Sequence, residues 1–164
     1  MSTSQPSTQT AVARRAAEAE LRTLIAKFSP AHVRLVAAMR RSVLKRLPTA
    51  HEVVYEYRYA FVISCSPNER GHEGVLVIRG SADGVRLYLN SGKGLPDPEK
   101  LLRGSGGKAR WIDVEGASTL VRPAVARLID EAVARNTVPF ARTGRGTVVI
   151  RSTAAKKRSG RRTA

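Results

Sequence analysis

The spacing of apolar positions changes twice along the chain. Residues 1–10 are mainly Ser, Thr and Gln around one proline, with no charge, and predict a disordered leader. From Ala11 the period is helical. Leu21, Leu24, Ile25 and Phe28 fall at i, i+3, i+4 and i+7, one stripe of a helix. Ser29-Pro30 predicts an N-cap followed by proline in the first turn of a second helix. That helix stops at Pro48, with Val36, Met39, Val43 and Leu47 as its stripe and Arg34, Arg41 and Lys45 on the outward face. The period then drops towards two. Residues 53–59 and 61–63 predict one or two strands, and 66–71 a loop. Residues 75–78 and 85–89 predict a hairpin turning at Asp83-Gly84, because Asp-Gly tolerates positive φ.

Residues 90–107 form a long connection rich in Gly, Lys and Pro, with one helical turn expected at 98–102. A strand follows at 110–114, with Trp111 expected to be largely buried because of its large apolar area. Pro123 opens a third helix whose buried side is Val125, Leu128, Ile129, Ala132 and Val133, with Asn136 as C-cap. Residues 148–150 read as a last strand. Strands joined by hairpins, with helices grouped before and after them, define an α+β fold: an antiparallel sheet with two N-terminal helices and one C-terminal helix packed on it. The alternating units of a dinucleotide-binding fold are absent. The expected organisation is a single domain over 11–151 and a basic disordered tail over 152–164.

Charge alters the functional picture. The 164 residues hold 29 Lys and Arg against 13 Asp and Glu, a formal net charge of +16. Such a chain suits anionic partners. No acid occurs from Ala132 onward, and that stretch carries nine cations. Arg151, Lys156, Lys157, Arg158, Arg161 and Arg162 make a tail suited to non-specific phosphate contact with nucleic acid or another polyanion, or to solubility alone. No apolar run is long enough for a membrane span, and no secretory signal is recognisable. The single cysteine, Cys65, excludes an internal disulfide and agrees with a reducing, cytoplasmic setting.

Chemistry-bearing patterns are sparse. Gly92-Lys93-Gly94 and Gly104-Ser105-Gly106-Gly107-Lys108 invite a phosphate loop, but Leu102 and Ala109 stand where a P-loop needs Gly and Ser or Thr. The connection is therefore either a flexible turn-rich segment or a simple anion site formed by Lys93, Lys100, Arg103, Lys108 and Arg110. Cys65, His32, His51 and His72 lack zinc spacing. A Cys65–His72 nucleophile would need a third, orienting group. Glu52 and Glu56 share a face on either a helix or a strand and are the weak metal alternative. Tyr55, Tyr57, Tyr59 and Phe61 recur at period two, as core bulk or as rings beside Arg58 that stack bases. No catalytic motif and no resident cofactor are predicted, and oligomeric state is left open.

The run from Leu95-Pro96-Asp97-Pro98 through Leu101-Leu102-Arg103-Gly104 and Lys108 to Arg110-Trp111-Ile112 resembles the signature of the YdhG-like domain family of unknown function. Pro48, Glu52, Tyr57 and Phe61 look like its upstream markers, and Arg122-Pro123 resembles the start of its last helix. The resemblance spans about residues 21–151. The chain departs from it at Tyr57-Arg58-Tyr59-Ala60-Phe61, where a glycine and often a proline are expected. The resemblance implies a bacterial, cytoplasmic α+β protein and little chemistry, because the family mostly lacks an assigned activity. Taken with the absence of a catalytic motif, it makes the leading expectation a non-catalytic domain that binds a small anionic ligand or a protein partner. Some members are described as frataxin-like iron chaperones, so iron delivery is the alternative. Iron binding of that kind uses a run of surface carboxylates; here the acids are scattered, and a strongly positive surface repels iron cations.

Overall fold

The computed structural model of the chain describes residues 9–152. Helix α1 (Ala11–Phe28) opens where the Thr10 hydroxyl accepts the Ala13 N–H at 3.1 Å. It buries Leu21, Leu24 and Ile25, as the stripe predicts. Helix α2 (His32–Arg46) buries Val36, Met39 and Val43 and ends at Leu47, ahead of Pro48. Its start differs from the expected Ser29 cap. Ser29 closes α1 instead, giving its N–H to the Ile25 carbonyl. The chain turns through Pro30 by bonds from His32 N–H to Ser29 and from Val33 N–H to Pro30.

The apolar alternation then builds β1 (His51–Glu56), β2 (Phe61–Ser66), β3 (Leu76–Ser81), β4 (Gly84–Leu89) and β5 (Arg110–Val114), each antiparallel to the next. Two short helices follow, α3 (Ala117–Val121) and α4 (Pro123–Ala134). Strand β6 (Val148–Ser152) lies parallel to β1, giving the order β5-β4-β3-β2-β1-β6. The fold is α+β, with a mostly antiparallel sheet. Residues 53–63 form two strands joined at Arg58-Tyr59, where Tyr57 donates its N–H to Ala60. The β3–β4 hairpin pairs as expected, but its tip is Ala82-Asp83, with Gly84 already opposite Ser81. The register explains the shift: Leu76 and Ile78 must face Leu89 and Leu87 on the buried side, and a slip by one would turn them outward.

Paired strand residues point to one side, so the register assigns the two faces. One face carries Val54, Phe61, Ile63, Cys65, Leu76, Ile78, Val85, Leu87, Leu89, Ile112, Val114 and Val148. The buried sides of all four helices join these residues in one core, including Leu120 of α3 and Val125, Leu128, Ile129 and Ala132 of α4. Phe61 packs on Phe28 at 5.4 Å between ring centroids. Gly80, opposite Phe61, is required by close approach: a Cβ there would overlap the Phe61 ring.

One expectation fails in the connection before β5. Residues 98–102 form no helical turn. The Asp97 carboxylate instead accepts the N–H groups of Leu101 and Leu102 at 2.8 and 2.9 Å, beside a single turn that the Lys100 N–H closes on the Asp97 carbonyl at 3.1 Å. Trp111 is largely covered, as expected, with its indole nitrogen buried, but it stands outside the helix-facing core. It lies opposite Tyr88 on the far face, because its neighbour Ile112 takes the core-facing position of β5. Gly104, at φ 110°, lets the returning chain lie against the Trp111 ring. Arg151 pairs with Tyr55 inside β6, so the last strand reaches Ser152.

Candidate functional site

Glu52 and Glu56 share the helix-facing side of β1, as their spacing predicts. Each is held by a cation. Glu52, 2% exposed, receives Arg40 Nε at 2.7 Å and Nη2 at 2.9 Å. The same guanidinium donates twice to Glu18 of α1 at 2.7 Å. Glu56 accepts Lys27 Nζ at 3.2 Å. Burial alone would lower the Arg40 pKa; its bonds to Glu18 and Glu52 reverse that and raise it. The bond from Arg40, opposed by partial burial, holds Glu18 below the usual carboxylate range. This Glu18–Arg40–Glu52 cluster ties α1, α2 and β1 together. Arg40 sits four after Val36 and three before Val43, on the buried stripe of α2, which is the signal that could have revealed it.

The soft side chains are dispersed. Cys65 is fully buried among the helix-facing residues of β2, and burial, aided by the Glu52 charge, pushes its thiol well up. His72 is exposed in the loop beyond β2. His32 joins α2 to the Ser81 carbonyl of the β3–β4 tip at 2.8 Å. His51 Nδ1 accepts the Thr147 N–H at 3.1 Å, and the Thr147 hydroxyl reaches Glu69 at 2.8 Å. Among the described residues no three His, Cys, Asp or Glu side chains gather as a metal site.

The five cations of the connection take separate positions. Lys93 and Lys108 meet through a backbone bond at 2.9 Å, with both side chains exposed. Lys100 is exposed at φ 52°. Arg103 turns to Asp113 at 3.3 Å. Arg110 donates to the carbonyls of Gly106 and Ala109 in its own loop.

A denser basic cluster lies at the opposite sheet edge. A cleft of about 790 Å³ is lined by Gln9, Arg14, Arg15, Glu18, Arg22 and Arg145. Gln9 bonds both backbone groups of Val148, and Arg14 donates to the Gly146 carbonyl, so the start of α1 is pinned beside the start of β6. The Arg14 pKa is lowered, first by burial and then by the charge of Arg145. Of the tail cations, Arg151 lies in β6 and donates to the Glu69 carbonyl at 2.7 Å. Lys156, Lys157, Arg158, Arg161 and Arg162 lie outside the described residues.

The aromatic run divides. Phe61 is core, whereas Tyr55 and Tyr57 lie on the face away from the helices, stacked at 6.4 Å and 22°. Tyr57 is 46% and Tyr59 73% exposed, so neither supplies core bulk. Among the described residues no helix is long and apolar enough to cross a membrane. Comparison of the chain with protein-family models, with curated proteins and with solved structures finds no match.

Proposed function

We propose that this chain is a non-catalytic, YdhG-like binding protein that engages anionic partners, nucleic acid among them, along its β6 edge. The observation that carries this reading is the arginine cleft at the start of β6. Arg14, Arg15, Arg22 and Arg145 line it with one acid, Glu18, which is already bound by Arg40. Arg14 and Arg145 oppose each other there, so a bound phosphate or carboxylate relieves their repulsion. Two features extend the reading. Five of the 29 bases lie beyond residue 152, so residues 9–152 alone carry +11. Those five follow the far end of the same edge strand. The test is fluorescence anisotropy with labelled duplex DNA. The double variant Arg14→Gln/Arg145→Gln is expected to bind several-fold more weakly while keeping its circular dichroism. Unchanged affinity would remove the cleft from the interface.

A further inference from the structure

Among the described residues the sheet carries helices on one face only. On the other, the register aligns two rows of side chains across all six strands. The first is Arg151, Tyr55, Val62, Arg79, Arg86 and Asp113; the second is Val149, Val53, Ser64, Val77, Tyr88 and Trp111. At the β1 end the 66–74 loop folds over part of this face, where Ser64 and Tyr55 donate to the Gly71 and Arg70 carbonyls. At the β5 end Arg103 pairs with Trp111 through the backbone. Between these flanks Arg79 and Arg86 are exposed and Val62, Val77 and Tyr88 partly so.

Two features of this open face fit one ligand. The first is like charge set side by side. Arg79 and Arg86 are direct cross-strand partners, an unfavourable pairing in an empty sheet. Arg86 leans away, over the Trp111 ring at 4.9 Å and towards Asp113 at 3.2 Å. Tyr88 first, and then Asp113, raise its pKa. The Arg79 guanidinium has no ion-pair or hydrogen-bond partner among the described residues. The second is rings beside those charges. Tyr57 and Tyr59 stand open at the β1–β2 tip, Tyr57 nearly parallel to Tyr55, and Tyr88 and Trp111 lie 5.5 Å apart on β4 and β5. From β1 to β4 is three strand spacings, about 14 Å. Rings flanking a pair of arginines is the chemistry of a single-strand groove, where bases stack and phosphates meet cations.

We propose that the helix-free face of this sheet binds single-stranded nucleic acid, with bases on Tyr57, Tyr59 and Tyr88 and phosphates on Arg79 and Arg86. The proposal rests on the polyanion reading above and gives it a ligand class. Duplex DNA keeps its bases stacked on one another and offers no free base faces to these rings. A second copy related by a two-fold axis would set the Arg79–Arg86 rows against each other. An acidic peptide would match the arginines and leave the tyrosines without a role.

The test uses the full chain with Lys156, Lys157, Arg158, Arg161 and Arg162 each changed to Gln, which silences the tail. Trp111 is the only tryptophan and serves as reporter. Titration with a twelve-nucleotide oligo(dT) is expected to change its emission. Tyr57→Ala and Arg79→Ser are each expected to weaken binding about tenfold with circular dichroism unchanged. The proposal is overturned if neither substitution alters affinity, if polyglutamate binds this tail-silenced chain as tightly as oligo(dT), or if duplex DNA still does so once Arg14→Gln/Arg145→Gln has also removed the edge cleft. Sedimentation showing a dimer that Arg79→Ser dissolves would also overturn it, by giving the face to a second copy. The unmodified chain on duplex DNA separates the two readings: if it binds while the tail-silenced chain ignores oligo(dT), the face fails and the basic edge stands. If it binds neither, both fail.

Discussion

Glu52 shows where sequence reasoning about single residues succeeds and where it stops. Its spacing from Glu56 places both carboxylates on one side of β1, and they lie there. The cation that holds it is Arg40, twelve positions away on another element, and Arg40 also binds Glu18, twenty-two positions away. No local pattern links the three. A buried carboxylate is tolerated because both its oxygens accept from that guanidinium. Arg40→Met is therefore expected to destabilise the protein by about 3–5 kcal/mol, because Glu52 would stay buried without a partner. Adding Glu52→Met should recover much of that loss, since the hole then closes with apolar bulk. Urea unfolding of the wild type, the single and the double variant checks this; equal loss in both variants would mean that the ion pair is not what the site depends on. Trp111 makes the same point from the apolar side. Size suggested burial, but strand parity decided which face it takes.

At the scale of elements, α1, α2, α4 and the β3–β4 hairpin were legible because each carries its own periodicity and its own stop. Helix α3 is only five residues long and shows no period. The parallel placement of β6 was illegible for a different reason: its partner β1 lies nearly a hundred residues earlier, and nothing in Val148, Val149 and Ile150 states a direction. That docking is reinforced at one end by His51. Its Nδ1 lies 3.1 Å from the Thr147 backbone nitrogen just before β6 and 2.8 Å from the Thr147 hydroxyl. Burial lowers the His51 pKa below the ordinary 6.5, against a weaker opposing pull from Glu69. The folded state therefore takes up a proton less readily than the unfolded chain. The stability that depends on neutral His51 is fully present above about pH 6.5 and drains away as pH falls below it. Thermal unfolding from pH 7.5 to 5.5 should show a drop in Tm. His51→Gln, which keeps an acceptor but cannot titrate, should flatten that drop, and an equal drop in the variant would assign it to other groups. Acid-linked loosening is expected first at the β1–β6 edge, read by amide exchange of Thr147 and Val148.

For the whole molecule, the charge map was legible in the sequence, but its distribution over the surface was not. Nine cations after Ala132 pointed to a basic tail. Folding takes Arg151 into β6 and brings Arg145 from that same stretch against Arg14 and Arg15 of the first helix. The basic surface is thus part tail and part fold, and salt dependence separates the parts. Each phosphate contacted on duplex DNA contributes about −0.9 to the slope of log affinity against log salt. If the five cations beyond Ser152 all engage, they account for a slope of about −4 to −5. Changing those five to Gln should remove that much. Arg14→Gln/Arg145→Gln should remove roughly a further −2, provided that both arginines meet phosphates. Duplexes of different sequence should bind equally, because phosphate contacts position a protein without reading bases. Anisotropy titrations at four or more salt concentrations measure these slopes. A slope that survives tail neutralisation intact would move the duplex contact wholly onto the fold. One that vanishes with the tail alone would leave the arginine cleft for a small anion instead of a nucleic-acid backbone.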